Sequence, residues 1–137
     1  MKRRSCLKVL LAAAGMVVTR AANGAPSATA ERQRPIELHL DLAVDPAKEQ
    51  EMLQIFESAF LPAISKQPGF IAAKMLKLTA TLRGPAPPGC NYQCILSFTS
   101  EDLRQSWVAT PTHKALWPKV EATLTSPNYS RLLYEVY

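Results

Sequence analysis

The order of elements predicted by hydrophobic patterning, β-α-β-β-α-β, indicates an α+β domain of the ferredoxin-like, split βαβ class. Three observations lead to this class. Some short segments alternate apolar and polar residues, as half-buried strands do. Two longer segments repeat apolar residues every three or four positions, as amphipathic helices do. Capping residues or proline-glycine turns separate these segments. We therefore expect an antiparallel sheet with both helices on one face.

The first strand and helix are the clearest elements. Residues 36–44 alternate apolar and polar side chains, so one face of the strand lies against a core. Asp45 and Pro46 follow as an N-cap and a first helical position. Apolar residues then recur at helical spacing as far as Ile64, and Pro62 is expected to kink or restart the helix.

A predicted hairpin forms the middle of the domain. Gln67-Pro68-Gly69 ends the first helix, and a second strand runs from Phe70 to about Thr81. Residues 83–89 contain three prolines and two glycines, which predicts a loop with a mobile tip. The third strand follows over residues 92–98, with Tyr92 on the same face as the apolar positions.

The last third of the chain predicts a helix in two pieces and a final strand. Ser100 is an N-cap with acidic residues directly after it. Thr110-Pro111 repeats the cap-then-proline signal within the helical segment, so the helix is expected to divide there. Residues 130–137 alternate again and form the fourth strand.

This architecture leaves one sheet face without helices. In the second and third strands we expect that face to carry apolar side chains whichever way the register falls, such as Ile71, Ala73, Met75 and Leu78 or their strand neighbours. An uncovered apolar face requires a partner, and a second copy of the chain is the simplest one. The sequence therefore predicts a homodimer.

The net charge of +5 is confined to the N-terminus. Five of the 16 Lys and Arg residues lie in the first 30 positions, which contain no Asp or Glu. The remaining 11 basic residues balance 11 acidic ones. Nucleic-acid binding requires clustered basic residues with little compensating acid. We therefore expect no nucleic-acid partner.

Residues 1–30 have the three parts of an export signal. A basic start precedes an apolar run over residues 9–19, which is much shorter than the roughly 20 residues that cross a bilayer. Ala28 and Ala30 provide the small residues that a signal peptidase reads. The positions that match the twin-arginine export motif are Arg3, Arg4, Leu7 and Lys8. An ordinary secretory signal that holds two arginines is the alternative.

This leader divides the chain into a signal peptide (1–30), a linker (31–35) and a domain (36–137). It predicts a bacterial protein of the periplasm or the medium, with the twin-arginine machinery as a partner during export. No membrane anchor is expected after cleavage, because the apolar run is removed with the signal.

Export leaves two cysteines, Cys90 and Cys94, in a compartment that permits disulfides. In a straight strand their Cα atoms would be about 13 Å apart, whereas a disulfide needs less than about 7 Å. Cys90 follows a turn, so both a disulfide and two free thiols remain open. A Cys-x3-Cys pair supplies only half of a zinc shell, so no metal site is expected.

Several short motifs occur in an order that is typical of one family. They are Pro62 late in the first helix, Gln67-Pro68-Gly69-Phe70, the segment Ser97–Leu103, Trp107, and the segment Thr110–Trp117. In this order and spacing the domain resembles the antibiotic biosynthesis monooxygenase family of dimeric α/β barrels. The resemblance extends from Ile36 to Tyr137.

The resemblance implies an oxidoreductase activity, a homodimer and a small aromatic substrate. Family members include oxygenases that add O₂ to quinols or polyketide aromatics without metal or flavin. Haem-degrading members pair a tryptophan on the second helix with a histidine ten residues later. Trp107 fits the first position, but the tenth residue onward is Trp117, and His113 lies only six residues onward. This departure predicts no haem. The sequence also lacks a G-x-G-x-x-G phosphate loop and a closed Cys/His ligand set, so we expect no flavin or metal cofactor either.

Two histidines and three aromatic residues are the candidate site residues. His113 and His39 are the candidate catalytic bases. Trp107, Tyr92 and Trp117 are the candidate walls of the substrate pocket. Asp41, two positions from His39, is a candidate to orient that imidazole. Each has a purely structural alternative, as a capping or surface histidine or as a packed core aromatic.

Two functions therefore compete. The first is a cofactor-independent monooxygenase of quinol-like or polyphenolic aromatics, and the second is a non-catalytic dimeric ligand-binding or stress-related domain. An apolar pocket between sheet and helices that contains a titratable group would favour the first. A filled core would favour the second.

The export signal gives a direct prediction. We expect the mature protein to begin near Glu31, and N-terminal sequencing of periplasmic protein measures this. Replacing Arg3 and Arg4 together by lysine should block export through the twin-arginine route. Unchanged export of that variant would instead indicate the general secretory route, and a soluble protein that keeps its basic start would contradict the signal altogether.

Overall fold

The computed structural model describes residues 33–137. The predicted export and cleavage residues (Arg3, Arg4, Leu7, Lys8, Ala28 and Ala30) therefore lie outside the described part of the chain. Within residues 33–137 no helix is long and apolar enough to cross a membrane.

The chain folds in the predicted order, β-α-β-β-α-β. The strands are β1 (Ile36–Leu42), β2 (Phe70–Lys77), β3 (Tyr92–Phe98) and β4 (Ser130–Glu135). The helices are α1 (Glu49–Ile55), α2 (Leu61–Ile64), α3 (Glu101–Val108) and α4 (Pro111–Glu121). The strands form one antiparallel sheet in the order β2-β3-β1-β4. This topology confirms the ferredoxin-like fold.

Pro62 lies in the first turn of α2, where the α-helix resumes after a π-helical turn. A 3₁₀ turn over Pro46–Lys48 leads into α1, and a π-helical turn over Phe56–Phe60 joins α1 to α2. Proline has no N–H to donate to a carbonyl in the preceding turn. The π-helical turn just before it changes the bonding pattern, so that the Leu61 N–H donates to the carbonyl of Phe56. The helix thus accommodates the proline by a local change of hydrogen bonding.

The second helical region is divided where the sequence indicates. The Ser100 side chain accepts a hydrogen bond from the Leu103 N–H and begins α3. The Thr110 side chain accepts one from the His113 N–H and begins α4, with Pro111 in the first turn. Both caps satisfy N–H groups that would otherwise lack partners.

The core lies between the helices and the two central strands. Every second residue of β1, from Ile36 to Leu42, is buried, and Tyr92, Cys94, Leu96 and Phe98 of β3 are buried opposite them. Phe60, Trp107 and Trp117 fill the space on the helical side. The alternation predicted for these two strands is confirmed.

The register of β2 puts the strand neighbours of Ala73 and Met75, and not these two residues, on the open face. Ala73 and Met75 pair with the buried residues Leu96 and Cys94 and pack against the core. The cause is a bulge between Phe70 and Ala72, because one extra residue in a strand exchanges its two faces. The open face of β2 therefore carries Ala72, Lys74 and Leu76. Ile71 lies at the bulge and is half exposed, as is Leu78 after the strand.

Three strand ends also differ from the expectation. The second strand stops at Lys77 instead of Thr81: its register with β3 ends at the pair Lys77–Tyr92, and one further hydrogen bond runs from the Leu78 N–H to the Asn91 carbonyl. The first strand stops at Leu42, although Val44 makes an isolated bridge to Leu124. The fourth strand stops at Glu135.

Gly69 provides a test of the turn that precedes β2. Its φ of +77° is in the left-handed region, and an added Cβ would meet the Leu103 side chain and lie 2.6 Å from Thr99 Oγ1. We expect Gly69→Ala to lower the free energy of unfolding by about 2–4 kcal/mol, combining backbone strain with overpacking. Gly84 is the matched control, since it has φ of +73° but open space around it. Gly84→Ala should cost only about 1 kcal/mol. Equal losses in urea denaturation would contradict the steric explanation.

Candidate active site

A cavity of about 270 Å³ lies between the helical side of the sheet and helices α3 and α4. Leu38 and Leu40 of β1 and Leu96 of β3 contribute apolar surface from the sheet. Trp107 and Trp117 contribute aromatic surface from the two helices. The volume is slightly below the roughly 300–1,000 Å³ of common ligand pockets, which suits a ligand of one or two rings.

His113 lines this cavity from the first turn of α4. The Thr110 cap fixes the backbone of that turn. The imidazole meets the ring of Trp107 edge to face at a centroid distance of 5.3 Å. It lies nearly parallel to Trp117 at 6.3 Å. Two buried tryptophans therefore hold the only titratable imidazole of the cavity.

Burial and positive charge keep the imidazole neutral. Partial burial lowers the pKa of His113 below its ordinary value of 6.5, and the guanidinium groups of Arg104 and Arg131 lower this pKa further. At neutral pH the side chain is thus a free base that can accept a proton.

The two arginines beside the cavity differ in whether a carboxylate neutralises their charge. Arg104 on α3 makes a bidentate ion pair with Glu101, through Nε at 2.7 Å and Nη2 at 2.5 Å. Arg131 on β4 makes no ion pair with any residue of the described chain. Its Nη2 donates to the Tyr129 hydroxyl at 2.9 Å, and its guanidinium lies 4.9 Å from the centre of that ring. The positive charge of Arg131 is therefore unneutralised beside the cavity.

The Tyr129 hydroxyl is shared by two donors. It accepts a hydrogen bond from Trp117 Nε1 at 2.8 Å and the one from Arg131. Since a phenolic oxygen has two acceptor positions and one proton, its own O–H is left to donate. No acceptor for that proton is found in residues 33–137.

The indole N–H of Trp107 also lacks a hydrogen-bond partner in this part of the chain. Its side chain is 1% exposed, and its Nε1–H is the only buried side-chain donor without a partner in the described residues. A buried donor left unpaired costs roughly 1–3 kcal/mol. Trp107 also lines the cavity, so this unpaired donor belongs to a residue of the cavity wall.

The structure brings together three of the five predicted site residues, His113, Trp107 and Trp117. His39 lies on the opposite, helix-free face of the sheet. There its Nε2 is 3.0 Å from Glu37 Oε2, and its ring packs against Tyr134 at 4.7 Å. Asp41 does not orient it, because that carboxylate accepts a hydrogen bond from Gln93.

Tyr92 also lies away from the cavity. Its hydroxyl donates to Glu49, which Lys77 also contacts. Burial, followed by the hydrogen bond to Glu49, raises the pKa of Tyr92 to about 12. Tyr92 lines a separate cavity of about 320 Å³ at the base of the 78–91 loop.

The sequence analysis did not identify Arg104, Tyr129 and Arg131. Arg104 falls inside a helix whose ion pair with Glu101 explains it without any ligand. Tyr129 and Arg131 come from the far end of the chain and join the cavity only because β4 pairs with β1. Arg131 lies directly across from Leu40 in the pairing of β4 with β1, and Leu40 faces the core. An alignment of these two strands from the sequence would therefore have placed Arg131 on the cavity side.

The cysteines add no metal-binding group. Cys90 and Cys94 are free thiols, and burial raises the pKa of both, to about 12 for Cys94. Within residues 33–137 no three His, Cys, Asp or Glu side chains lie close enough together to hold a metal ion.

Comparison by sequence and by structure gives different results. No family model and no curated protein matches the sequence. The fold matches SnoaB, a cofactor-independent oxygenase from Streptomyces nogalater (N63A variant), with a TM-score of 0.60 and 16% identity over 75% of this chain and 93% of that one. A provisionally assigned antibiotic biosynthesis monooxygenase from Caulobacter crescentus matches with a TM-score of 0.61 and 19% identity, over 77% and 92%.

A third match is a dimeric ferredoxin-like protein of unknown function from Jannaschia. Its TM-score is 0.63, with 12% identity over 74% of this chain and 99% of that one. Identities this low relate the folds alone. The chain thus has the ferredoxin-like fold on which the Streptomyces oxygenase is also built.

Proposed function

We propose that this protein is an exported monooxygenase that oxidises a quinol-like or polyphenolic aromatic with O₂ and without a cofactor. The observation that carries the proposal is a neutral histidine set between two tryptophans in an apolar cavity, with guanidinium groups nearby. The match in fold to SnoaB, a cofactor-independent oxygenase, supports the oxygenase part of this proposal. The leader supports the export part.

His113 is the proposed base. An electron-rich phenol becomes reactive toward O₂ when it loses its proton, and a phenol has an ordinary pKa of about 10. The same guanidinium charges that disfavour the imidazolium favour the phenolate, so the transfer is assisted at the phenol oxygen. The unpaired Trp107 N–H can donate to that oxygen.

The reaction needs no external reductant. The phenolate gives one electron to O₂, and the resulting radical pair combines to form a carbon–oxygen bond at a ring carbon that carries hydrogen. Protonation gives a hydroperoxide, which loses the hydrogen of that carbon as a proton while its O–O bond breaks. One oxygen atom stays as the quinone carbonyl, and the other leaves as water. Phenol and O₂ therefore give quinone and water.

Oxygen uptake by the purified domain tests this function. With a chelator present, the domain should consume O₂ with at least one member of a panel of hydroquinones and naphthols. His113→Gln should lower the rate about 100-fold or more, because the base is lost. Lys114→Gln, an exposed substitution on the same helix, should leave the rate unchanged. Saturable binding without any O₂ uptake would indicate the non-catalytic alternative.

The rate should also depend on pH in one direction. Since the pKa of His113 lies below 6.5, the rate should rise with pH through that lower value and be level by neutrality.

Replacing His39 by glutamine shows which of the two histidines is the base. If His39→Gln abolished uptake while His113→Gln retained it, the base would be His39 and this site would be wrong.

We also propose that the protein acts as a homodimer through the helix-free sheet face. Leu76, Leu132 and Tyr134 lie on that face and are each more than 40% exposed. Permanent homodimers commonly bury more than about 2,000 Å². Stacking two four-stranded faces is the arrangement that would bury these side chains.

Sedimentation at low micromolar concentration tests the dimer. The wild-type domain should sediment as a dimer, and Leu132→Asp should lose it, because the carboxylate would be desolvated between the sheets. The control is Leu82→Asp in the 78–91 loop, where the native side chain is 96% exposed. The Leu82→Asp variant should still sediment as a dimer. A folded wild-type monomer would contradict the proposal.

A further inference from the structure

The cavity has two distinct polar regions. One consists of His113 and the Trp107 N–H on the helices, which the proposed function uses. The other consists of Tyr129, just before β4, and Arg131 on β4; the proposed function uses only the positive charge of Arg131 and none of the hydrogen-bond donors of this pair. Because the second region is built from a different part of the chain, it requires an explanation of its own.

Tyr129 and Arg131 together present donors without acceptors. The Tyr129 oxygen already accepts hydrogen bonds from Trp117 and Arg131, so its remaining proton must be donated elsewhere. Arg131 uses one Nη2 hydrogen for that contact, and its other donors have no partner in the described residues. Tyr129 is thereby fixed in position while its O–H remains free.

The charge in this region is also unbalanced. Arg104 is neutralised by Glu101, whereas Arg131 has no carboxylate partner within residues 33–137. The residues on the cavity wall include no Asp or Glu. Residues 31–137 are neutral as a whole, so this positive charge is local to the cavity.

We propose that Tyr129 and Arg131 form a carboxylate-binding pair, and that the ligand of this cavity is an aromatic carboxylate. The planar guanidinium and an adjacent hydroxyl donor match the two oxygens of a carboxylate. The aromatic rings of Trp107 and Trp117 and the leucines of the sheet take the ring system. This inference rests on the proposed function only in using the same cavity, and it specifies the substrate as a phenol that also carries an acid group.

Equilibrium binding tests the pair without any turnover. Both tryptophans of the chain line the cavity, so intrinsic fluorescence reports on its occupancy. The probes are 2-naphthoate and 2-naphthamide, which have the same ring system and differ in charge. The wild-type protein should bind the naphthoate about ten-fold or more tightly than the naphthamide, because a charge-assisted hydrogen bond is much stronger than a neutral one.

The variants separate recognition from folding. Arg131→Gln should remove the preference for naphthoate while leaving naphthamide affinity unchanged, and Tyr129→Phe should reduce the preference in part. Lys119→Gln, an exposed charge change on α4, should leave both affinities as they are. Circular dichroism establishes that each variant is folded. Naphthoate affinity should also fall as salt is raised from 0.05 to 0.5 M, which the naphthamide should not show.

Several results would overturn the proposal. They are equal binding of the two probes, no binding of either, or an equal loss of both in Arg131→Gln. Loss of O₂ uptake in His113→Gln with the naphthoate preference intact would support both proposals. A protein that never consumes O₂ but keeps the preference would contradict the oxygenase and leave the carboxylate pair standing.

Discussion

The packing of Phe60 against both tryptophans is the contact on which the rest of this domain depends. Phe60 is fully buried, and its ring centre lies 5.8 Å from that of Trp107 and 5.6 Å from that of Trp117. One residue of the first helical region thus positions both pieces of the second. Because His113 packs against the same two tryptophans, the position of the proposed base follows from the core. The π-helical turn contributes to this arrangement, since Phe60 is its last residue and Pro62 follows shortly after.

The cavity exists because the helices do not cover the whole sheet. Helix α3 packs against β3, and α4 packs against α1, α3 and the π-helical turn, whereas every residue of β4 is exposed. Leu133 faces the helical side, opposite Leu38, and is still 49% exposed. The incomplete cover leaves a space between the tryptophans and the fourth strand. The fourth strand thereby brings side chains into a site whose other residues come from the helices and the central strands.

The sequence was sufficient for the elements that depend on a single periodicity. The central strands alternate cleanly, so their buried faces could be assigned without a structure. In β2 the run Ile71, Ala72, Ala73 is apolar at every position, and nothing in it reveals the bulge that exchanges the faces.

At the site, too, the sequence was sufficient only for residues that are close together along the chain. His113, Trp107 and Trp117 are close in sequence on adjoining helices, whereas Tyr129 and Arg131 reach the cavity through strand pairing. His39 had two possible carboxylate neighbours at equal spacing, Glu37 and Asp41, and only the side-chain geometry distinguishes them.

The guanidinium groups near His113 have two opposing effects on proton abstraction. A cation near a histidine weakens it as a base, which by itself would oppose proton abstraction. The same cation stabilises the anion that abstraction produces, so the net effect depends on which group lies closer to the guanidinium. If a carboxylate of the ligand occupies Arg131, it neutralises part of the charge that lowers the pKa of His113. Binding of an acidic ligand would then raise the basicity of His113 at the moment when the base is required. An aromatic acid bound at Arg131 would in this way leave His113 a stronger base than a neutral phenol of the same shape would.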